Sequence, residues 1–401
     1  MIVRLPSIAC VLLHGTAHAP VLDLARRLFA ADEIRDMHDF SHEALIAEVA
    51  GRAVAGQMTA IVEGGSPAGA HRLRVALASA ARENYVRRFG LVLADALPSE
   101  PKIESRLKID GYREVQVLDE QCAKDATLVR EPMPTDHRDI TGAFDIIGDV
   151  HGCADELIAL MQRLGYRIDW PEANAGASAG GLPHVTPPAG RRIIFVGDLV
   201  DRGPRSADVL RIVLAMFRAG STLLVPGNHD MKFHRWLEGH KVAITHGLDA
   251  TIRSLEGAPT ELLDGVRAML GGLWSHLWLD GGRLAVAHAG IIEPMLGRAT
   301  PRVRHFCLYG DTSGEKDTNG LSIRYNWAAT YAGETAVVYG HTPVADAEWQ
   351  NNTLCIDTGC CFGHKLTALR WPEREVVSEP ARATYAHLIR ALGHPPARSA
   401  V

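Results

Sequence analysis

The 401-residue chain has no apolar run near the roughly twenty residues that a membrane-spanning helix needs. It has no excess of basic charge. A formal net charge of −5 gives no electrostatic support for a broad nucleic-acid groove, although a local basic site stays open. It has no paired CxxC pattern either. Its seven cysteines are odd in number and scattered, with Cys360 and Cys361 adjacent. That argues against a disulfide framework and for a reducing, cytoplasmic setting. What is present is ordinary: 47% apolar and 22% charged residues can bury a large core, and the length fits two domains. The opening MIVRLPSIACVLLHGTAHA imitates a secretory signal through Arg4 and its apolar stretch. Pro6 and Ser7 interrupt that stretch, however, and IACVLL reads better as a buried first strand before a glycine turn.

Residues 8–118 alternate short apolar strands with helical patterns. IACVLLHG, TAIVEGG and FGLVLAD read as strands; VLDLARRLFA, EALIAEVAGRAVA and HRLRVALASAARENY read as helices. Strands separated by such helices imply parallel βαβ units. A polar stretch, REPMPTDHRDITGA, reads as an inter-domain linker. The domain boundaries expected are 1–130, a linker at 131–142, a second domain at 143–380 and a tail at 381–401. Within the second domain, residues 171–190 are rich in Gly, Ala and Pro and read as a surface loop. The tail carries one short helical pattern, YAHLIRAL.

The second domain repeats one device. FDIIGDVHG, RIIFVGD, TLLVPGNHD, RLAVAHAG, AVVYGHT and TLCIDTG are apolar runs that each end in Asp, Asn or His. Functional groups at the carboxyl ends of strands are where α/β proteins build their sites. The groups are Asp149 and His151, then Asp198, Asp201 and Arg202, then Asn228, His229 and Asp230, then His288 and His341. Taken singly, each has a plainer explanation: a turn, a helix cap, a hydrogen-bonded core histidine or a surface ion pair. In order, each closing a strand, they point to carboxylate, amide and imidazole ligands of a two-metal hydrolytic site.

The ordered set GDVHG, GDLVDRG, GNHD, AHAG and GHT resembles the calcineurin-like metallophosphoesterases, in their phosphoprotein-phosphatase branch. The resemblance implies an αβ sandwich of four layers, α/β/β/α, holding two divalent cations. Mn²⁺ is the expected ion, with Fe, Ni or Zn able to replace it. It implies that Asp149, His151 and a bridging Asp198 hold one ion and that Asn228, His288 and His341 complete the other. His229 is then the general acid, Asp201 its orienting partner and Arg202 the phosphate ligand. FDIIGDVHGCADEL, LYGDTSGEKD, VVYGHTPV and the segment from Asn351 resemble more narrowly the phosphatase module of bacterial polynucleotide kinase-phosphatase, an RNA-repair enzyme. They resemble nearly as much the bacterial symmetrical bis(nucleosyl)-tetraphosphatases. By the repair-enzyme resemblance Asp357 belongs to the active site; the plainer reading is a carboxylate that stands behind the ligands or serves a turn. Arg302, Arg304 and Arg324 are further candidates to touch substrate, with a solvated surface the plainer home for each.

Such repair enzymes begin with a P-loop kinase, whose loop needs G-x-x-x-x-G-K-[ST]. Counting from Gly15, the second glycine is Pro20, the lysine position is Val21 and the hydroxyl position is Leu22. The donor, cation and Mg²⁺ ligand are all missing, so the first domain is expected to be a degenerate P-loop-like parallel sheet that neither binds ATP in the usual way nor acts as a kinase. It is left with the roles of docking surface, homodimer interface or remnant. The ligase-like module that follows the phosphatase in the repair enzyme has no counterpart here. The leading expectation is a metal-dependent phosphoesterase acting on nucleotide or RNA-end phosphates, away from membranes. Alternatives are a symmetrical tetraphosphatase, a serine/threonine protein phosphatase, or a binding protein with both domains decayed.

Overall fold

The computed structural model describes residues 1–65, 70–94, 102–171, 181–318 and 320–398. The chain divides into two compact units, Met1–Pro134 with Gly297–Arg302, and Thr135–Leu296 with Val303–Val401. No helix among the described residues is long and apolar enough to cross a membrane.

The first unit is built on a five-stranded sheet in the order Ile34–Asp36, Thr59–Gly64, Ala9–Gly15, Arg87–Leu93, Glu114–Leu118. Every pairing in it is parallel. Ala9–Gly15 is buried at every position, as a central strand covered on both faces must be. The opening residues Ile2–Pro6 also form a strand, paired in parallel with Thr127–Glu131. Pro6 sits at the last position of that two-stranded ribbon, where a missing N–H costs least. Val21, where a P-loop would need its lysine, is fully buried in the core beside Leu24 and Leu28. Its Cγ2 would lie 2.6 Å from a Cβ on Gly15, so an apolar side chain fills the space behind the loop.

The second unit contains two sheets. The first runs Thr222–Leu224, Arg191–Phe195, Ala143–Ile147, Lys365–Trp371, Glu375–Pro380; its first three strands are parallel. The second runs Trp349–Gln350, Thr353–Cys355, Ala336–Tyr339, Leu284–Ala287, His276–Leu279, Asp136–His137. Thr353–Cys355, Ala336–Tyr339 and Leu284–Ala287 are parallel in it. Phe144, Ile146 and Ile194 of the first sheet share one apolar cluster with Val286, Val338 and Leu354 of the second, so the sheets pack face to face. Helices Ala154–Arg163 and Ser206–Arg218 contribute Leu157, Leu160, Leu210 and Val213 to a second cluster with Ile147, Ile193 and Phe195.

Three expectations fail locally. Asp136–His137, inside the presumed linker, is an edge strand paired with Trp278 and Leu279. The presumed loop at 171–190 falls partly outside the described residues, at 172–180, and its described part contains the strand His184–Thr186, paired with Arg167–Asp169. The tail has no helix at YAHLIRAL, because the N–H groups of Tyr385 and Ala386 both donate to the carbonyl of Cys361 rather than to a preceding turn. Arg382 N–H and the Tyr385 hydroxyl both donate to buried Glu156.

Candidate metal centre

Each predicted ligand stands just beyond the carboxyl end of a parallel strand. Asp149 and His151 follow Ala143–Ile147, Asp198 follows Arg191–Phe195, and Asn228 opens the helix Asn228–Leu237 after Thr222–Leu224. His288, His341 and Asp357 follow the three parallel strands of the second sheet. The chain must reverse sharply at these points. Among the described residues eleven non-glycine residues have positive φ, and five are His151, Asp198, Asp201, Arg202 and His341. Backbone strain of this kind gathers where a site needs it. Close approach explains two glycines: a Cβ on Gly340 would overlap Asp149 Oδ1, and one on Gly227 would overlap Asp198 Oδ1.

The side chains converge on Asp198. Its Oδ2 lies 3.5 Å from His151 Nε2 and 3.5 Å from His288 Nε2. Its Oδ1 accepts the N–H of His229 at 2.9 Å, which fixes the carboxylate plane. The Nδ1–H of His151 donates to Val200 O at 2.9 Å and that of His288 to Val196 O at 3.0 Å. Those bonds leave each Nε2 as the lone-pair atom facing the pocket, the arrangement a metal-binding imidazole needs. Burial holds His151, His288 and His341 below the usual histidine range, so all three stay neutral.

The result is a crowd of acceptors. His288 Nε2 faces Asn228 Oδ1 at 3.1 Å and His341 Nδ1 at 3.0 Å, besides Asp198. Asp149 Oδ2 accepts the N–H of His341, whereas its buried Oδ1 and His341 Nε2 have no hydrogen-bond partner among the described residues. Burial, then the charges of Asp357 and Asp198, push the Asp149 pKa well above the carboxylate range. Only a cation satisfies so many lone pairs at once. The groups His151–Asp198–His229 and Asp198–His288–His341 each bring three donor atoms within 4.8 Å of one another, and Asp198 belongs to both. The donor set thus fits two ions with one carboxylate between them.

Beside this cluster lies a second arrangement. His229 Nδ1 is 2.6 Å from Asp201 Oδ2, and Asp201 Oδ1 accepts the Thr251 hydroxyl at 2.7 Å. The Arg202 guanidinium spans His151 Nε2 at 2.5 Å and His229 Nε2 at 3.1 Å, with Phe362 5.0 Å beneath it. Asp357 is buried, accepts the N–H of Gly359, and is pushed up to about 6 by that burial. Among the described residues its side chain makes no hydrogen bond to the ligand set.

With this geometry in view, the relatives are informative. The calcineurin-like phosphoesterase family profile matches residues 143–368. The chain belongs to the calcineurin-like phosphoesterase family. Two relatives illustrate its neighbourhood, both named asymmetrical bis(5'-nucleosyl)-tetraphosphatase PrpE. That of Bacillus subtilis (strain 168) is 43% identical over 247 residues, covering 61% of this chain and 96% of the relative. That of Halalkalibacterium halodurans is 44% identical over 243 residues, covering 60% of this chain and 94% of the relative. These are not named as polynucleotide kinase-phosphatases, so the narrower likeness to the repair enzyme draws no support from them. Membership makes the chain a hydrolase and fits the acceptor cluster.

Sequence reasoning missed or misjudged three residues of this phosphoesterase pocket. Thr251 lies 50 residues from the Asp201 it holds, and a hydroxyl in a helix carries no motif. Asp230, read only as part of GNHD, accepts the N–H groups of Leu199 and Gly227 and so ties two ligand loops together. Arg324 is not on a solvated surface. It lines a cavity with His341, Tyr309 and Tyr325, and its buried Nε has no partner among the described residues. Arg302, by contrast, is exposed and lies over Tyr85, and Arg304 points its Nη2 at Met231 Sδ.

Proposed function

We propose that this chain is a two-metal phosphoesterase that hydrolyses dinucleoside polyphosphates. The observation that carries the metal-dependent reading is Asp198 Oδ2, equidistant at 3.5 Å from imidazoles of two ligand groups. Asp149, His151 and Asp198 would hold one ion, and Asp198, Asn228, His288 and His341 the other. Mn²⁺ is the first ion to load. Two such ions, when bound, supply a water of lowered pKa and neutralise phosphate charge. The chain's own groups do the rest. The planar fork of Arg202 pairs with two phosphate oxygens, and Arg324, which lines a cavity with His341, adds a second guanidinium. His229 delivers a proton from Nε2 to the departing oxygen. Asp201, steadied by Thr251, accepts from Nδ1–H and supports the positive charge of the doubly protonated ring, the form that has an Nε2 proton to give.

The names of the relatives support a dinucleoside tetraphosphate as substrate, and cleavage away from its centre. The alternative is a phosphate end of a polynucleotide. It keeps one specific support: a parallel-sheet unit precedes the phosphoesterase residues in the chain, in the place that the kinase takes in the repair enzyme. A panel on Mn²⁺-loaded protein decides between them: diadenosine tetraphosphate, oligonucleotides ending in 3'-phosphate or 2',3'-cyclic phosphate, and a phosphopeptide. Fast release of a nucleoside triphosphate with a monophosphate is expected. Two diphosphates would show a central cut instead. Turnover of the oligonucleotide ends alone would overturn the substrate and leave the metal chemistry standing.

A further inference from the structure

The degenerate loop of the first unit delivers a histidine to a neighbouring strand. The turn Gly15–Ala17 leads into the helix His18–Leu28, so His18 stands at the carboxyl edge of the parallel sheet. A Cβ on Gly64 would overlap the backbone of His18, which shows how tightly the turn is seated against Thr59–Gly64. The edge strand Ile34–Asp36 ends at the same edge, and the short turn Met37–Asp39 follows it. His18 Nε2 lies 2.6 Å from Asp36 Oδ2, and His38 Nδ1 lies 3.1 Å from Asp36 Oδ1. The two imidazole centroids are 4.5 Å apart, nearly perpendicular, and the three donor atoms fall within 4.8 Å of one another.

The carboxylate between the rings is held firmly. Asp36 Oδ1 also accepts the N–H of His38 at 3.0 Å, and its strand pairs in register with Ala60–Val62. Burial opposes its charge, but the bonds from His38 and His18 outweigh that and keep its pKa below the usual range. Two imidazoles and one carboxylate form a donor set for borderline first-row divalent cations. Zinc bonds of about 2.0–2.2 Å place neighbouring tetrahedral donors about 3.3 Å apart. The observed separations of 2.6 and 3.1 Å, with an outer bound of 4.8 Å, straddle that spacing, so small side-chain rotations suffice.

We infer that His18, Asp36 and His38 form a mononuclear Zn²⁺-class site in the first unit, independent of the phosphoesterase ligands. Three protein donors leave a fourth position open. The His38 side chain is 58% exposed and that of Asp36 11%, so the open position faces solvent and takes water or an anionic oxygen. The loop that lacks phosphate-cradling residues would thus keep a ligand-binding edge by a different chemistry. The plainer alternative is a hydrogen-bonded His–Asp–His triad that binds nothing.

Counting ions separates the two. Full-length protein is stripped with chelator, loaded with Zn²⁺, desalted and assayed by elemental mass spectrometry, alongside His18→Gln and His38→Gln. Each variant should carry one Zn²⁺ fewer per chain than the wild type. Mn²⁺-dependent hydrolysis of p-nitrophenyl phosphate should stay within twofold in all three, and matching circular-dichroism spectra and melting transitions report that the first unit of each variant is folded. Equal Zn²⁺ counts in the three proteins would overturn the site. If His18→Gln fails to fold, His38→Gln decides alone, because its side chain is largely exposed and packs little.

Discussion

Replacing His229 with asparagine isolates one chemical step. The ring donates a hydrogen bond from Nδ1–H to Asp201 at 2.6 Å, which turns Nε2 to the pocket beside Arg202 at 3.1 Å. A general acid contributes about 10²–10⁴-fold, or about 2.7–5.4 kcal/mol of barrier. That benefit scales with how poorly the leaving oxygen carries charge. A nitrophenolate is stable as an anion, so p-nitrophenyl phosphate should slow by about tenfold or less. An alkyl phosphate should lose about the full 10²–10⁴. A departing nucleotide leaves through a phosphate oxygen that already delocalises charge, so diadenosine tetraphosphate should follow the aryl ester. The metal content should not change, because the backbone N–H that His229 gives Asp198 survives the substitution. The assay is kcat on the three substrates with ion counts on the same sample. Equal slowing of the aryl and alkyl esters at full metal content would refute proton donation and leave His229 a positioning role.

Three further outcomes follow from the same coordinates. Asp198→Asn removes the charge shared by both groups, so ion content should fall by about two per chain, against about one for Asn228→Ala; equal losses by elemental analysis would mean that Asp198 does not bridge. Arg324→Ala should raise KM about tenfold or more with a smaller change in kcat, since a guanidinium that grips substrate in ground and transition states alike acts on uniform binding; an unchanged KM would remove it from the substrate's reach. His276, fully buried, is held down to about 3 from 6.5 by burial, then by His137. The folded state therefore binds fewer protons than the unfolded below about pH 6.5, and stability must fall as pH drops through that window, by up to about 1.4 kcal/mol per unit. Urea unfolding at pH 6.5 and 5 should show His276→Gln losing about 2 kcal/mol less than wild type over that interval; parallel losses would place the proton uptake elsewhere.

The residues that gather in the candidate centre were legible because geometry forces them into a pattern. A side chain that must reach a shared edge has to follow a parallel strand at once, so strand, glycine and donor recur as a unit, as in IIGDVHG and VVYGHT. The parallel sheet of the first unit was legible for a similar reason, since its buried strands are continuous apolar runs such as ACVLLHG. Thr251 was not legible: it holds Asp201 through one hydrogen bond made across the fold, and neither its neighbours nor its spacing record that contact. Arg324 was named as a substrate candidate, but its spacing does not record the cavity it lines, so a solvated surface read as its plainer home. The tail misled for the opposite reason. YAHLIRAL has a helical pattern, yet the N–H groups of Tyr385 and Ala386 find a better acceptor in Cys361 O than in their own turn. Tertiary hydrogen bonds overrode local preference there, and nothing in the eight residues announces it.

The two units illustrate how one sheet-edge geometry carries different chemistry. In the second unit, five ligand-loop residues accept positive φ, and two carboxylates press against glycines that admit no Cβ. The strain is offset only if something holds the acceptors together, and an acceptor cluster cannot hold itself: its lone pairs repel. The same logic runs in reverse at the P-loop position. Val21 packs into the core beneath Gly15, where a lysine would have to reach outward. The turn after Gly15 thus offers an apolar side chain to the core and no cation to an anion. His18, Asp36 and His38 meet at one edge of the first unit, and a Zn²⁺ count that falls in both His18→Gln and His38→Gln would show that this edge binds by their chemistry rather than by a phosphate cradle.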